Sequence, residues 1–333
     1  MLEIISIEQA KKWDEAVRSM YAYDFYHLSA YHRLDPFGKP FLLYCPIENT
    51  VFALPVILRN IEKSDYHDIT SVYGYAGPLC NSAQPEPQKI AVFQQELKSY
   101  FDEQQIISAF ARLHPLLEQE NLIHGVGEVI DANLTVGIDL NRSETEQKKQ
   151  YSRSLRTQLN RLKKSEIEIT QSVEKEDIEQ FHKIYIETMD RVKASPYYYF
   201  TIEYFYHFIS EIDSALFLAK KNGEIISGSL CTFTNGIMQA HLNATKNDYL
   251  PQSPLKLVLD TARVEGMKRK QNTLHLGGGK GGSNNSLFEF KSRFSHQYFQ
   301  FRMWKYIHNP VVYSELAQTN KKVGDSDFFP TYR

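Results

Sequence analysis

Residues 273–294 read T-L-H-L-G-G-G-K-G-G-S-N-N-S-L-F-E-F-K-S-R-F. A short β-type run, residues 273–276, enters five glycines with Lys280 among them, and an apolar-basic helical pattern begins after two asparagines. Strand, glycine turn and helix start together present backbone N–H groups to an anion or to a reacting carbonyl. A tight turn in which glycine supplies positive φ and nothing binds has the same spelling. The stretch alone leaves both readings open.

Two nucleotide motifs are separable from it. Gly277, Gly279 and Gly282 satisfy G-x-G-x-x-G. A dinucleotide fold, however, needs that turn at the start of a βαβ unit, with an acidic residue about 20 positions on. The roughly 50 residues that follow are too few for a doubly wound half. A phosphate loop needs Gly-Lys followed by Ser or Thr, and here Lys280 is followed by Gly281.

A chain of 333 residues has room for two domains of ordinary size. The formal charge of −2 gives no global attraction to nucleic acid, so contact with a polyanion has to come from a local patch. Cys45, Cys80 and Cys231 are isolated, which excludes a disulfide framework and a C-x-x-C zinc site and suits a reducing compartment. Their apolar surroundings predict buried, inert thiols. His27 and His32 are five apart, a poor spacing for one helix-borne metal site, so no metal is expected. The N-terminal residues lack a basic segment and a long apolar core, and no apolar run approaches 18 residues. Neither a signal peptide nor a spanning helix is expected.

In chain order, residues 8–34 carry a helical pattern and then a tract rich in aromatics and histidine. Residues 41–45 and 51–58 read as a hairpin around Glu48-Asn49-Thr50. A short strand at 69–73 leads into Gly74-Tyr75-Ala76-Gly77-Pro78. Residues 90–104 form an amphipathic helix with Val92, Phe93, Leu97 and Phe101 as its stripe. Strands at 106–112 and 134–140 close the first half. Between 144 and 164, Tyr151, Leu155, Leu159 and Leu162 make one helical stripe, and seven basic residues crowd the remainder. That basic face is either simply solvated or a phosphate contact through Arg153 and Arg156.

The second half repeats the plan. Helices are expected at 174–189 and 198–212, the latter rich in aromatics, of which Tyr197, Tyr198, Tyr199 and Phe200 are either core or pocket lining. Asn222-Gly223 and Asn235-Gly236 mark hairpin turns between strands at 215–220, 224–233 and 237–245. Ser253-Pro254 opens a helix, with Ser253 as N-cap and Pro254 at its first position, ending near Gly266. The chain therefore reads as α/β (α+β): two domains of similar build, residues 1–145 and 146–333, each a mixed sheet with helices on both faces.

Chemistry-bearing side chains are sparse. His241 and Asn243 alternate on an expected strand, so both are expected on one face, placed to orient an acceptor hydroxyl or amine or else facing solvent. His275 reads as a core histidine. Arg112 and His114 lie at a strand end, where ligands are commonly met. Lys291 either extends to water or sets a cation near a developing oxyanion. No G-x-S-x-G signature for a serine nucleophile is present.

Several phrases resemble the FemABX-type acyltransferases of the GNAT N-acyltransferase superfamily. They are Y-G-Y-A-G-P from Tyr73, R-L-H-P from Arg112, Y-x-E-T-M-x-R from Tyr185, H-L-G-G-G from His275 and S-L-F-x-F-K-x-x-F from Ser286. The resemblance runs over nearly the whole chain and is greatest to members found among envelope-polysaccharide proteins. It implies two tandem GNAT-like domains with a cleft between them, the N-terminal one on the acceptor side and the C-terminal one on the donor and catalytic side. It implies an acyltransferase that moves an acyl or aminoacyl group from acyl-CoA or aminoacyl-tRNA to an amine of an amino sugar or of a cell-envelope, polysaccharide or peptidoglycan precursor.

By the same resemblance Phe290 and Lys291 are the catalytic pair. Gly277, Gly278 and Gly279 face the transferred group, with Lys280, Arg153 and Arg156 as phosphate contacts. The turn with Gly74, Tyr75 and Gly77 holds the acceptor; beside what the resemblance implies, Arg112 and His114 at their strand end, Arg191, Tyr198, His241 and Asn243 are the other candidate substrate contacts. The helix start at Pro254 matches where GNAT domains take a pyrophosphate, although no Q/R-x-x-G-x-G/A precedes it. Asn285 stands where relatives often carry Asp. No permanently bound cofactor is implied; acyl-CoA or aminoacyl-tRNA is a co-substrate, and a nucleotide- or lipid-linked sugar is the acceptor. The expected location is the cytoplasm, or the inner face of a membrane as a peripheral protein. Two other classes fit the same residues: a non-catalytic GNAT-fold binding protein for tRNA or glycan, and a sugar O-acyltransferase.

Overall fold

The computed structural model describes residues 1–279, 285–319 and 328–333. Two compact units emerge: Met1–Ala132 together with Gln300–Arg333, and Asn133–Phe299. Among the described residues the chain runs β1 (Glu3–Ser6), α1 (Ala10–Arg18), α2 (Ser29–His32), β2 (Lys39–Ile47), β3 (Thr50–Asn60), β4 (His67–Thr70), β5 (Leu79–Cys80), α3 (Pro87–Glu103), β6 (Ile106–Leu113) and α4 (Glu120–Ile123). It continues through β7 (Glu128–Asp139), α5 (Glu144–Gln150), α6 (Arg153–Lys163), β8 (Glu168–Ser172), α7 (Lys175–Arg191), α8 (Ile202–Glu211), β9 (Ser214–Lys221), β10 (Glu224–Thr234), β11 (Ile237–Thr245) and α9 (Leu255–Lys268). β12 (Thr273–Gly278), α10 (Ser286–Ser292), β13 (Gln297–Ile307) and α11 (Pro310–Thr319) follow. No helix among the described residues is long and apolar enough to cross a membrane.

The observed units part at Ala132/Asn133, where 145/146 is expected, and differ again at the C-terminus. Residues 302–307 of β13 pair antiparallel with β6, and Trp304 is buried in the first unit's core, so the end of the chain folds back into that unit. The first unit's sheet runs β1-β2-β3-β4-β6-β13, with β5 on β3. Its β2–β3 hairpin turns on Glu48 and Asn49, with Glu48 at φ 55°. Pro87 starts α3, and Phe93, Leu97 and Phe101 are its buried stripe, whereas Val92, expected among them, is exposed.

The second unit's sheet runs β7-β12-β11-β10-β9-β8. Asn222-Gly223 and Asn235-Gly236 have positive φ at both positions and close two-residue turns, the type I′ geometry that matches strand twist. One face of this sheet packs on α9 and α6, through Leu257, Val258, Ala262, Leu155 and Leu159. The other face packs on α7 and α8, with Phe181 seated where a side chain at Gly228 would be.

Three local expectations change. The charged segment is two helices, because the chain breaks at Tyr151 and restarts at Ser152, whose hydroxyl accepts the Leu155 N–H; the four-residue stripe is nevertheless buried. α8 begins only at Ile202, capped by Thr201, after a 3-10 turn at Pro196–Tyr198. Ser253 is not a cap: it sits at φ 54° with its hydroxyl donating to the Leu250 carbonyl, and Pro254 is the residue flanking α9. α9 also runs past Gly266, where a Cβ would lie 2.7 Å from Met238 Sδ. That glycine serves close helix–sheet contact, not helix termination.

Candidate functional site

β11 and β12 are the parallel pair of the second unit, joined by the α9 crossover, and they are paired only from Ile237–Thr273 to Gln239–His275. Beyond that point both strands carry an irregularity. His241 is the unmatched residue of β11 where the partners step from Ala240–Cys231 to Leu242–Leu230, and Leu276 is unmatched between β12 and β7. The extra residue of a bulge re-aims the side chains that follow it. Two strands that part at their carboxyl ends, next to a helix start, form the usual place for a ligand in an α/β sheet.

The bulge overturns one expectation. His241 and Asn243 do not share a face. His241 turns to α8, stacked 5.0 Å from Phe208 with its Nε2 3.0 Å from the Tyr204 hydroxyl, and burial pushes its pKa down to about 3. Asn243 is opposite Ser229, whose hydroxyl meets Cys231 Sγ on the α9 face. Strict alternation predicts one face; one inserted residue reverses it.

On the other lip of the gap, Gly277 takes φ 76°, and a Cβ at Gly278 would lie 2.9 Å from the Leu134 carbonyl. The glycines let the backbone turn and approach β7 closely. Gly279 ends the described part of the loop; Lys280 lies outside the described residues. Asn285 caps α10, its Oδ1 accepting N–H bonds from Leu287 and Phe288. One turn on, Lys291 points back: its Nζ donates to the Gly278 carbonyl at 2.7 Å. Among the described residues no carboxylate pairs with it, and burial pushes its pKa down to about 8.

Phe290 packs edge-on to Phe294 and lies under the ammonium of Lys256, 5.6 Å from the ring centre. Lys256 was not foreseen. It sits in the first turn of α9, 3% exposed, bonded to Gln158 Oε1, and burial together with nearby Arg293 lowers its pKa. A buried lysine at a helix N-terminus adds positive charge where the helix is already positive, so this face of the site is strongly cationic.

The remaining expected residues of this unit divide. Arg191 braces the end of β11, with Nη1 donating to the Thr245 carbonyl and to Asn247 Oδ1. Tyr198 accepts the Tyr185 hydroxyl at its carbonyl, 2.7 Å away, and is half-buried. Arg153 and Arg156 are exposed on α6, and no ion pair joins them among the described residues. His275 is a core histidine as expected, its Nδ1 2.7 Å from Gln239 Oε1, but its buried Nε2 makes no hydrogen bond among the described residues. All three cysteines are buried, and burial pushes Cys45 to about 11 and Cys231 to about 12, which removes them as nucleophiles.

In the first unit, the 74–78 turn rests on a buried polar network. Gly74 takes φ 110°, and a Cβ there would come within 2.0 Å of the Tyr26 ring. A Cβ at Gly77 would come within 2.6 Å of Gln119 Oε1, the acceptor of the His114 N–H. Tyr75 packs edge-on to Tyr26, His114 and Phe301. His114, expected at a strand end among the acceptor contacts, is 1% exposed. Its Nδ1 accepts the Leu116 N–H, so Nε2 carries the proton and donates to buried Asp24 Oδ2 at 3.0 Å. His114 supports the turn from below. Arg112 is half-buried, its guanidinium 5.5 Å from the Phe110 ring centre. Asp24 and Gln119 were missed because they lie in separate segments, and only the fold brings them under one turn.

No protein-family model and no curated protein sequence matches this chain. Solved structures do. FemX superposes with a TM-score of 0.73 at 13% identity, over 94% of this chain and 99% of that one. L-PGS from Bacillus licheniformis gives 0.59 at 13% identity, over 91% and 94%. A tandem GNAT protein of the clavulanic acid biosynthesis pathway gives 0.52 at 9% identity, over 93% and 99%. The chain has the mixed α/β, tandem GNAT-like fold of these proteins.

Proposed function

We propose that the protein is an acyltransferase that moves an acyl or aminoacyl group from acyl-CoA or aminoacyl-tRNA to an amine of an amino sugar or a cell-envelope or polysaccharide precursor. The observation that carries the reading is the Lys291 ammonium on the Gly278 carbonyl, in a fold shared with FemX. A lysine held by burial at a lowered pKa, with no carboxylate partner among the described residues, at the parting of two parallel strands supports a functional role.

In this reading the amine lone pair attacks the carbonyl carbon of the thioester or ester, and the C–N bond forms as the carbonyl pair moves onto oxygen. Collapse of the oxyanion breaks the bond to the CoA sulfur or the tRNA ribose oxygen. The proton lost by the amine reaches that leaving group through water. Lys291, cationic at neutral pH, and the backbone N–H groups of the glycine turn stabilise the oxyanion; Phe290 shapes the pocket. Removing one such donor costs a factor of about 10²–10³ in kcat. Arg153 and Arg156 meet donor phosphate, and the 74–78 turn of the first unit, propped by His114, meets the acceptor. The protein works in the cytoplasm or against the inner face of a membrane.

The test is turnover with acetyl-CoA and with alanyl-tRNA against UDP-linked amino sugars, with amide product followed by mass spectrometry. Lys291→Ala should lose most of the rate and Lys291→Arg should keep more of it. Unchanged turnover in Lys291→Ala would remove the assigned role, and an ester product would make the enzyme an O-acyltransferase.

A further inference from the structure

Among the described residues, Thr232 Oγ1 and His275 Nε2 make no hydrogen bond on the α7/α8 face of the second unit's sheet, and on the α9 face, beside the parted strands, Asn243 is the side chain whose hydrogen bonding is incomplete. Asn243 Nδ2 donates to the Ala240 carbonyl at 3.2 Å, which fixes the orientation of the amide. Its Oδ1 is buried and has no donor among the described residues. The polar side chains flanking it on β10 and β11 are paired: Ser227 with Thr245, Ser229 with Cys231, and His241 with Tyr204. A buried acceptor left without a donor is unfavourable, and native proteins rarely keep one without a use.

Placement gives that use. Counting from the last matched pair, Gln239–His275, Asn243 and Gly279 are each four residues further along parallel strands. The bulge at His241 turns Asn243 to the α9 face, the face on which Lys256 and Phe290 lie. The strand carrying Asn243 and the Lys291–Gly278 contact therefore stand on opposite lips of one gap. Lys256 and Lys291, with Arg293 beside Lys256, hold positive charge on this side of the unit and disfavour a further one, so an amine bound at the gap is held neutral, with N–H groups to donate and a lone pair to use.

We infer that Asn243 Oδ1 accepts an N–H from the attacking amine of the acceptor substrate and aims the amine lone pair at the acyl carbon. An amide oxygen is suited to this because it accepts a hydrogen bond without taking the proton. The inference rests on the amine-acyltransferase reading above.

The experiment compares wild type with Asn243→Leu and Asn243→Asp, using the donor and amino sugar that wild type turns over. Asn243→Leu should raise the KM for the amine at least tenfold and leave the KM for the donor within twofold. Its melting temperature without ligand should be unchanged or higher, since the lone buried acceptor is gone. Asn243→Asp restores an acceptor oxygen, so the amine KM should recover, and its charge should move the ascending limb of the pH–rate profile to higher pH. The inference is overturned if Asn243→Leu matches wild type, if the effect falls on the donor KM, or if melting drops while both KM values hold. Where wild type itself makes no amide with either donor, the underlying reading fails and the inference falls with it; where wild type is active and Asn243→Leu is indistinguishable, the inference alone fails.

Discussion

The ammonium of Lys291 donates to the carbonyl oxygen of Gly278, thirteen residues earlier, at 2.7 Å, and so ties α10 to the end of β12. Burial lowers this lysine to about 8, which places its loss of charge inside a measurable window. An oxyanion needs the protonated form, so turnover should fall as pH rises through about 8. Lys291→Arg should move that decline out of range, because a guanidinium stays charged. Lys291→Met should flatten it at a low rate. A decline at pH 8 that persists in Lys291→Met would belong to another group.

Gly74→Ala tests the first unit's turn. At φ 110° an alanine is strained, and its Cβ would meet the Tyr26 ring at 2.0 Å. Tyr26 packs on Phe25, Tyr31 and Tyr75, so the ring has little room to yield. Strain and overpacking together should cost about 2–4 kcal/mol, read as a lower urea midpoint at unchanged slope. A loss under about 0.5 kcal/mol would mean the turn relaxes freely.

The elements were legible where local chemistry decides them. Asn-Gly turns, the Glu48-Asn49 hairpin and the Phe93, Leu97, Phe101 stripe follow from φ preferences and periodicity alone. The His241 bulge was not, because an inserted residue is defined only against its partner strand, and with it went the facing of Asn243. The return of Trp304 to the first core was equally hidden, since a long-range strand pairing leaves no local mark. Lys291 was legible as a candidate from its motif. Lys256 was not, because lysine in a helix is ordinarily solvated and only packing against Phe290 and Gln158 reveals its burial.

His27 and His32 should make the protein acid-sensitive well above the carboxylate range. Burial pushes both down to about 3, His27 also feeling His114. An unfolded histidine takes up its proton near 6.5, so below that pH the unfolded state binds protons that the folded state refuses. Stability is therefore intact above about 6.5 and is lost as pH falls from there towards 3. Each histidine contributes a slope of up to about 1.4 kcal/mol per pH unit. Chemical denaturation at pH 7, 6, 5 and 4.5 checks this; a flat profile down to pH 5 would contradict neutral burial.

The last prediction concerns what holds α9 in place. Asp260 and Arg263 are 4% and 0% exposed, and Asp260 Oδ1 accepts from Arg263 and from the Tyr151 hydroxyl while Lys163 pairs with Oδ2. Arg263 reaches on to Gln147 and Glu144, so α5, α6 and α9 meet in one network. Burial alone would raise Asp260, but Arg263, Tyr151 and Lys163 outweigh it and hold the carboxyl low. Arg263→Met should therefore leave the buried Asp260 carboxylate with only Tyr151 and the half-exposed Lys163, and cost up to about 3–5 kcal/mol. Replacing both ends, Asp260→Leu with Arg263→Met, removes the stranded charge and should cost less than Arg263→Met alone. Urea denaturation of Arg263→Met, Asp260→Leu and the double variant decides it: a double variant as unstable as the sum of the single changes would show that the pair contributes by packing and not by charge.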